Sequence, residues 1–132
     1  MNGLRNFGPL VGRILIAVIF IVSGFGKIMG FDGTVGYIRS AGLPAAQLAA
    51  IAAVVIELGG GILLLLGWKA RWAAAALFVF VFCAGIFFHA FWASPPEQVM
   101  MQQIQFMKNL AIMGGLLYII VYGSGPYSVD KI

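Results

Sequence analysis

Five ionisable side chains lie inside long apolar stretches of this 132-residue chain, and these are the residues best suited to chemistry. They are Arg13, Lys27, Glu57, His89 and Lys108, and the amide of Asn109 follows the last of them. A charged group in hydrocarbon is costly, usually faces the interior of a helix bundle, and marks a functional site by default. Lysine, histidine and amide groups can hydrogen-bond a ligand oxygen, whereas the Glu57 carboxylate can pair with a cation.

The same inventory argues against several other kinds of chemistry. One histidine and one distant cysteine do not make a metal or haem ligand set. Cys83 alone cannot form an internal disulfide or a Cys-x-x-Cys redox pair, and we expect it to be a packing residue. There is no nucleophile–base pair, phosphate loop or nucleotide fingerprint. The net charge of +4 is scattered over predicted helix ends, so no nucleic-acid partner is expected.

The elements that must position these residues are membrane helices. The chain is 62% hydrophobic and 9% charged, which is incompatible with a water-soluble globule. A helix needs roughly 20 consecutive apolar residues to cross a bilayer. Four such helices are predicted, over residues 9–29, 44–66, 71–92 and 102–123. We therefore predict one all-α domain over residues 1–132, an integral-membrane four-helix bundle of two antiparallel hairpins, with a short interfacial helix in the first loop.

Orientation follows from the basic residues of the short loops, which concentrate on the cytoplasmic side. One side of the predicted bundle carries four of them, whereas Arg39 stands alone in the loops of the other; the four are Arg5, Lys69, Arg71 and Lys131. Both termini and the loop at residues 67–71 are therefore predicted to be cytoplasmic.

Helical rise sorts the polar residues into two layers. At 1.5 Å per residue, Glu57 lies ~20 Å below Pro44 and Arg13 lies ~24 Å below Met29, if those residues mark the outer helix ends. The sequence thus predicts a buried Arg13–Glu57 ion pair. The other residues lie near the outer ends and are predicted to form a ligand-binding cluster: Lys27, His89, Gln105, Lys108 and Asn109.

Simpler interpretations stand beside these predictions. Arg13 and Lys27 could extend to the lipid headgroups without any partner. His89 could be an ordinary interfacial residue. Glu57 is too deep to reach water, but its pairing could serve helix registration alone.

Several segments together resemble the DoxX family of small bacterial four-helix membrane proteins, over nearly the whole chain. The matching segments are GRILIAVIFIVSGFGKIMGF (12–31), AGLP (41–44), VIELGGGILLLLGWKAR (55–71), FFHAFW (87–92), QFMKNLAIMGGLL (105–117) and GPYSVD (125–130). The family pattern places polar residues at the positions of Arg13, Lys27, Glu57, His89, Lys108 and Asn109.

The resemblance implies a multi-pass protein of the bacterial inner (plasma) membrane. It also implies a membrane-bound redox system, since members of the family are associated with quinone-linked thiosulfate oxidation and with oxidative-stress complexes. We therefore expect an accessory or anchor subunit, without complete catalytic equipment, whose partner is a soluble oxidoreductase or another membrane subunit. A homo-oligomer is also compatible with the sequence. The first alternative is a quinone or small hydrophobic ligand bound by the outer cluster. A small transporter is the second alternative, although the apolar gap between the two polar layers argues against it.

Overall fold

The computed structural model describes residues 2–130, which form five helices and no strand. Their bounds are α1, Asn2–Met29; α2, Phe31–Ser40; α3, Ala46–Leu66; α4, Ala70–Phe88; and α5, Val99–Tyr122. All except α2 belong to segments long and apolar enough to cross a bilayer. The predicted all-α architecture of four membrane helices and one short loop helix is therefore confirmed. The orientation stays a prediction, and Lys131, which contributed to it, lies outside the described residues.

Small and branched side chains pack tightly in one half of the bundle. This half contains the short α3–α4 turn and residues 124–130, and we call it the tail end; the opposite half is the His89 end. The core of the tail end contains mainly alanine and leucine from α1, α3, α4 and α5, including Ala17, Leu64, Ala74, Leu77 and Leu116. Because small residues let membrane helices approach closely, this half holds the bundle together.

The relative height of α1 and α3 is fixed by two glycines. A Cβ atom added to Gly24 would lie 2.9 Å from the backbone nitrogen of Leu58, and one added to Gly61 would lie 2.9 Å from the Ile21 side chain. These two contacts place Glu57 level with Gly24, so that Lys27 is about one helical turn away. Arg13 lies ~17 Å further toward the tail end at 1.5 Å per residue.

The first turns of α3 extend past the end of α1 and are covered by α2. Ile38 of α2 is buried against Ala46 and Ala50 of α3. The helix that we predicted to open at Pro44 begins two residues later, at Ala46. Since the outer ends of α1 and α3 do not lie at one height, depths counted from those ends were not comparable.

The end of α4 differs from the prediction in a way that affects the site. Its α-helical segment ends at Phe88, and His89 is the first residue beyond it, with φ of −125°. A short 3-10 turn, Phe91–Ala93, follows. The prediction of a helix through residue 92, with His89 on its face, is therefore wrong. The His89 imidazole therefore projects from the C-terminal end of α4, where it can contact α5.

Candidate functional site

The His89 end encloses a cavity of about 430 Å³ with walls from all five helices. Most of its lining is apolar, with side chains such as Phe20, Ile38 and Phe88. Its polar lining residues come from opposite sides of the bundle: Ser23, Lys27, Thr34, Tyr37, Glu57, His89, Lys108 and Asn109. A ligand pocket of roughly 300–1,000 Å³ with a few convergent polar groups is the usual form of a small-molecule site.

The wall formed by α1 and α3 carries an ion pair between Lys27 and Glu57. Lys27 Nζ lies 2.5 Å from Glu57 Oε1, and the two side chains are 29% and 5% exposed. Lys27 Nζ also donates a hydrogen bond to Ser23 Oγ at 2.8 Å. Glu57 lies in a π-helical turn of α3, Val55–Gly59. Such turns interrupt α-helices mainly as single-turn bulges and frequently lie at functional sites.

The predicted Arg13–Glu57 pair is wrong. Arg13 is only 2% exposed, but its guanidinium donates to main-chain carbonyl oxygens at the tail end. Nη1 donates to Leu64 at 2.8 Å and to Leu65 at 3.1 Å, and Nη2 donates to Tyr127 at 2.9 Å. The reason is the helix register, which places Glu57 about one turn from Lys27 and far from Arg13 along the membrane normal.

Residues 124–130 complete a second polar arrangement, which we call the tail clamp. The Asp130 carboxylate accepts hydrogen bonds from the Lys69 and Ala70 main-chain N–H groups, at 2.7 and 3.0 Å. It thereby caps the N-terminus of α4, where free N–H groups need acceptors. The Ala70 hydrogen bond is the largest cause that lowers the pKa of Asp130, and the Lys69 and Ser124 hydrogen bonds and the Arg13 charge add to it. The tail clamp is structural and separate from the cavity.

The opposite wall of the cavity carries His89, Lys108 and Asn109. His89 Nδ1 lies 2.9 Å from Gln102 Oε1, a contact that requires the ring proton on Nδ1 because an amide oxygen accepts. Lys108 Nζ donates to Gln105 Oε1 at 2.7 Å, and Lys108 itself is exposed at the mouth of the cavity.

Asn109 is the unusual member of this wall. It is 9% exposed, its side-chain amide forms no hydrogen bond within residues 2–130, and its amide atoms are not among the fully buried ones. An accessible amide without a protein partner can donate to, or accept from, a ligand or a water molecule. The amide borders the cavity, so a ligand atom there could accept its hydrogen bond.

The structure thus brings four of the five predicted cluster residues to one cavity. The fifth, Gln105, lies behind them and holds Lys108. Glu57, which we assigned to the other layer, joins the cavity.

Sequence reasoning missed three supporting residues. Ser23 lies one turn before Lys27, a spacing that could have signalled the contact. Gln102 binds His89 only because α4 ends early, and Asp130 binds across a sequence separation of 60 residues, for which the sequence offers no local signal.

The chemistry available to the cavity is hydrogen bonding and charge pairing. Lys27, Lys108 and Asn109 can donate to oxygen atoms, whereas Glu57 and the free His89 nitrogen can accept. Within residues 2–130, no three histidine, cysteine, aspartate or glutamate side chains come close enough together to hold a metal ion. Cys83 borders the cavity as an exposed free thiol.

Comparisons with known proteins relate the chain to membrane proteins. A family model described as DoxX matches residues 8–90. The chain is 39% identical to the inner membrane protein YphA of Escherichia coli, with 99% of both chains covered, and 36% identical to the inner membrane protein YqjF of that organism, with 100% of this chain and 96% of YqjF covered. A 71-residue stretch, 54% of this chain and 52% of the relative, is 39% identical to CatD of Bacillus subtilis, which is named as a proposed oxidoreductase. No solved structure matches.

Proposed function

This chain belongs to the DoxX family of multi-pass inner-membrane proteins, and on that premise we propose that it is the ligand-binding membrane subunit of a redox system. The ligand is a quinone or a similarly small hydrophobic molecule with oxygen atoms in its head group. It binds in the cavity of the His89 end. The observation that carries the proposal is the Asn109 amide, which lines that cavity and forms no hydrogen bond within residues 2–130.

Size and polarity support a quinone head group. The cavity of about 430 Å³ is of the size usual for small-molecule sites, and most of its wall is apolar. A quinone ring has two oxygen acceptors on opposite edges. The cavity has donors on opposite walls, Lys27 on α1 and both Lys108 and Asn109 on α5. A flat ring between these walls would have an acceptor for each set of donors.

The chain offers a binding site but little means of delivering electrons. It has one cysteine, so it cannot provide a dithiol pair, and it has no nucleotide fingerprint. We therefore assign electron delivery to a partner, either a soluble oxidoreductase or another membrane subunit. The local similarity to CatD, which is named as a proposed oxidoreductase, supports an association of this chain with redox chemistry.

The first experiment measures quinone retained by the purified protein. Wild type, Asn109→Leu and the control Gln103→Leu are purified in mild detergent, and bound quinone is quantified by mass spectrometry. Gln103 is an exposed amide on the same helix and does not line the cavity. We expect wild type and the control to retain quinone, and Asn109→Leu to lose about tenfold or more, since one hydrogen bond of about 1.4 kcal/mol corresponds to that factor.

Protein stability distinguishes a ligand group from a packing group. The Asn109 amide forms no hydrogen bond within residues 2–130, so replacing it with leucine breaks none there. Asn109→Leu should therefore unfold at the same SDS content as wild type or at a higher one. If no quinone is recovered with the purified wild-type protein, the proposal is contradicted. A variant that loses quinone only in proportion to its folded yield would show instead that Asn109 is a packing residue.

A second experiment tests the partner. Affinity purification of the tagged protein in mild detergent, with mass spectrometry of the recovered proteins, should yield an oxidoreductase in a fixed ratio to this chain. Recovery of the chain with lipid alone would contradict its assignment to a redox complex, while leaving the ligand site to be judged by the quinone measurement.

A further inference from the structure

The charges that border the cavity do not balance. Glu57 is the one carboxylate on its wall, and it is paired with Lys27. Lys108 is a second cation on the opposite wall, and no carboxylate lies within salt-bridge distance of it among residues 2–130. Its hydrogen bond goes to the neutral amide of Gln105. With His89 neutral, these side chains leave one positive charge in excess at the cavity.

The other three acidic residues do not line the cavity. Asp130 caps α4 at the tail end. Asp32 lies in the first turn of α2 and Glu97 in the 3-10 turn before α5, and neither forms an ion pair within the described part of the chain. The other titratable side chains that line the cavity are His89, Tyr37 of α2 and the Cys83 thiol of α4, whereas Arg39 of α2 and Arg71 of α4 do not line it. The excess charge is therefore attributable to Lys108.

We propose that the cavity binds its ligand as a monoanion, with the negative oxygen at Lys108 Nζ and a second oxygen at the Asn109 amide. The proposal rests on the proposed function, because it concerns the same cavity, and it adds the charge class of the ligand. Lys108 is exposed at the mouth of the cavity and has no carboxylate partner within residues 2–130, so a negative ligand oxygen beside its ammonium adds a favourable charge interaction that a neutral oxygen lacks. A neutral quinone could still bind through Asn109, but more weakly than an ionised one, because it offers no charge to the Lys108 ammonium.

Two kinds of amphiphile present this chemistry, an ionised hydroxyquinone and a long-chain carboxylate. Both have a negative oxygen, a neighbouring acceptor oxygen and a large apolar part that suits the phenylalanine and isoleucine lining. Each has a neutral methyl derivative of nearly the same shape. An alkylated 2-hydroxy-1,4-naphthoquinone can be compared with its methyl ether, and palmitate with methyl palmitate.

The experiment measures the affinity of the full-length protein in detergent for each member of both pairs, at about pH 8, where carboxylates are ionised and lysine is charged. For at least one pair, we expect wild type to bind the ionised member about tenfold more tightly or better, which corresponds to one favourable charge interaction of roughly 1.4 kcal/mol. Lys108→Gln should reduce that preference to about threefold or less, and Lys108→Arg should retain it. Lys69→Gln, at the tail end, is the matched control and should behave as wild type.

Each outcome separates this inference from the proposed function. If both members of each pair bind equally well, or if Lys108→Gln keeps the preference, the monoanion inference is wrong although the cavity binds ligand. If the carboxylate shows the preference and neither naphthoquinone binds, the inference is supported and the quinone proposal is contradicted. If none of the four probes binds, both are contradicted. Retention of the folded state by Lys108→Gln is checked by its unfolding midpoint, which should match wild type because Lys108 is exposed.

Discussion

Replacing Lys27 with methionine removes the one cation within salt-bridge distance of the Glu57 carboxylate in the described part of the chain. The Glu57 side chain is only 5% exposed, so breaking this buried pair should lower the free energy of unfolding by roughly 3–5 kcal/mol. Glu57→Gln should cost less, about 1–3 kcal/mol, because the remaining ammonium is 29% exposed and keeps its hydrogen bond to Ser23.

The double variant tests whether the two residues act as a pair. Lys27→Met combined with Glu57→Gln leaves no uncompensated charge, so its cost should be smaller than the sum of the single costs by about 1–3 kcal/mol. The control cycle combines Arg13→Met with Glu57→Gln. Those residues are ~17 Å apart along the membrane normal, and their effects should add to within about 0.5 kcal/mol.

The measurement is reversible unfolding in mixed detergent micelles of increasing SDS content, followed by tryptophan fluorescence. The chain has three tryptophans, which none of these variants removes. Additivity of the Lys27 and Glu57 changes, or a coupling between Arg13 and Glu57 instead, would refute the register argument based on Gly24 and Gly61.

Three further predictions concern the tail end and the orientation. Asp130→Asn should lower the free energy of unfolding by about 1 kcal/mol, as expected for loss of a helix cap. Because folding lowers the pKa of Asp130, its contribution is complete above the unfolded-state pKa and is lost as the pH falls through the folded-state pKa, so acid unfolding curves of the variant should show a weaker pH dependence than those of wild type. Arg13→Met should cost about 3 kcal/mol by removing three hydrogen bonds to carbonyl oxygens, of which the Leu64 oxygen keeps the Gly67 N–H as a donor, and Arg13→Lys should cost less, as measured by the same SDS titration. Reporter fusions after Lys69 and at Ile132 should report the cytoplasm and one near Glu97 the outside; an external C-terminus would contradict the orientation inferred from the basic residues.

The pairing of Glu57 shows where sequence reasoning reached its limit. The cost of a carboxylate in hydrocarbon was enough to predict that Glu57 has a partner. The choice between Arg13 and Lys27 as its partner depended on the axial offset between α3 and α1. That offset follows from the close approach of the two helices at Gly24 and Gly61. Helical rise alone could not supply it, because the two helices end at different heights.

His89 and Asn109 show the same limit within the cavity. Both are polar residues in apolar stretches near the outer ends of predicted helices, which was enough to predict that they belong to the ligand-binding cluster. However, the reach of His89 depends on α4 ending at Phe88, and the absence of a partner for Asn109 within residues 2–130 depends on the space left between five helices. Neither property is present in a local pattern of residues.

The amino-acid pattern alone is enough to predict the four membrane helices, the short loop helix and the set of intramembrane polar residues. These follow from the length of apolar runs and from the cost of burying charge, which are properties of single segments. Tertiary structure decided which polar residues pair, where the cavity lies, and that Asp130 closes the tail clamp over the α3–α4 turn. Those outcomes depend on the relative slide, termination and packing of helices that are distant in the chain, and on the main-chain groups that this packing leaves free to accept or donate hydrogen bonds.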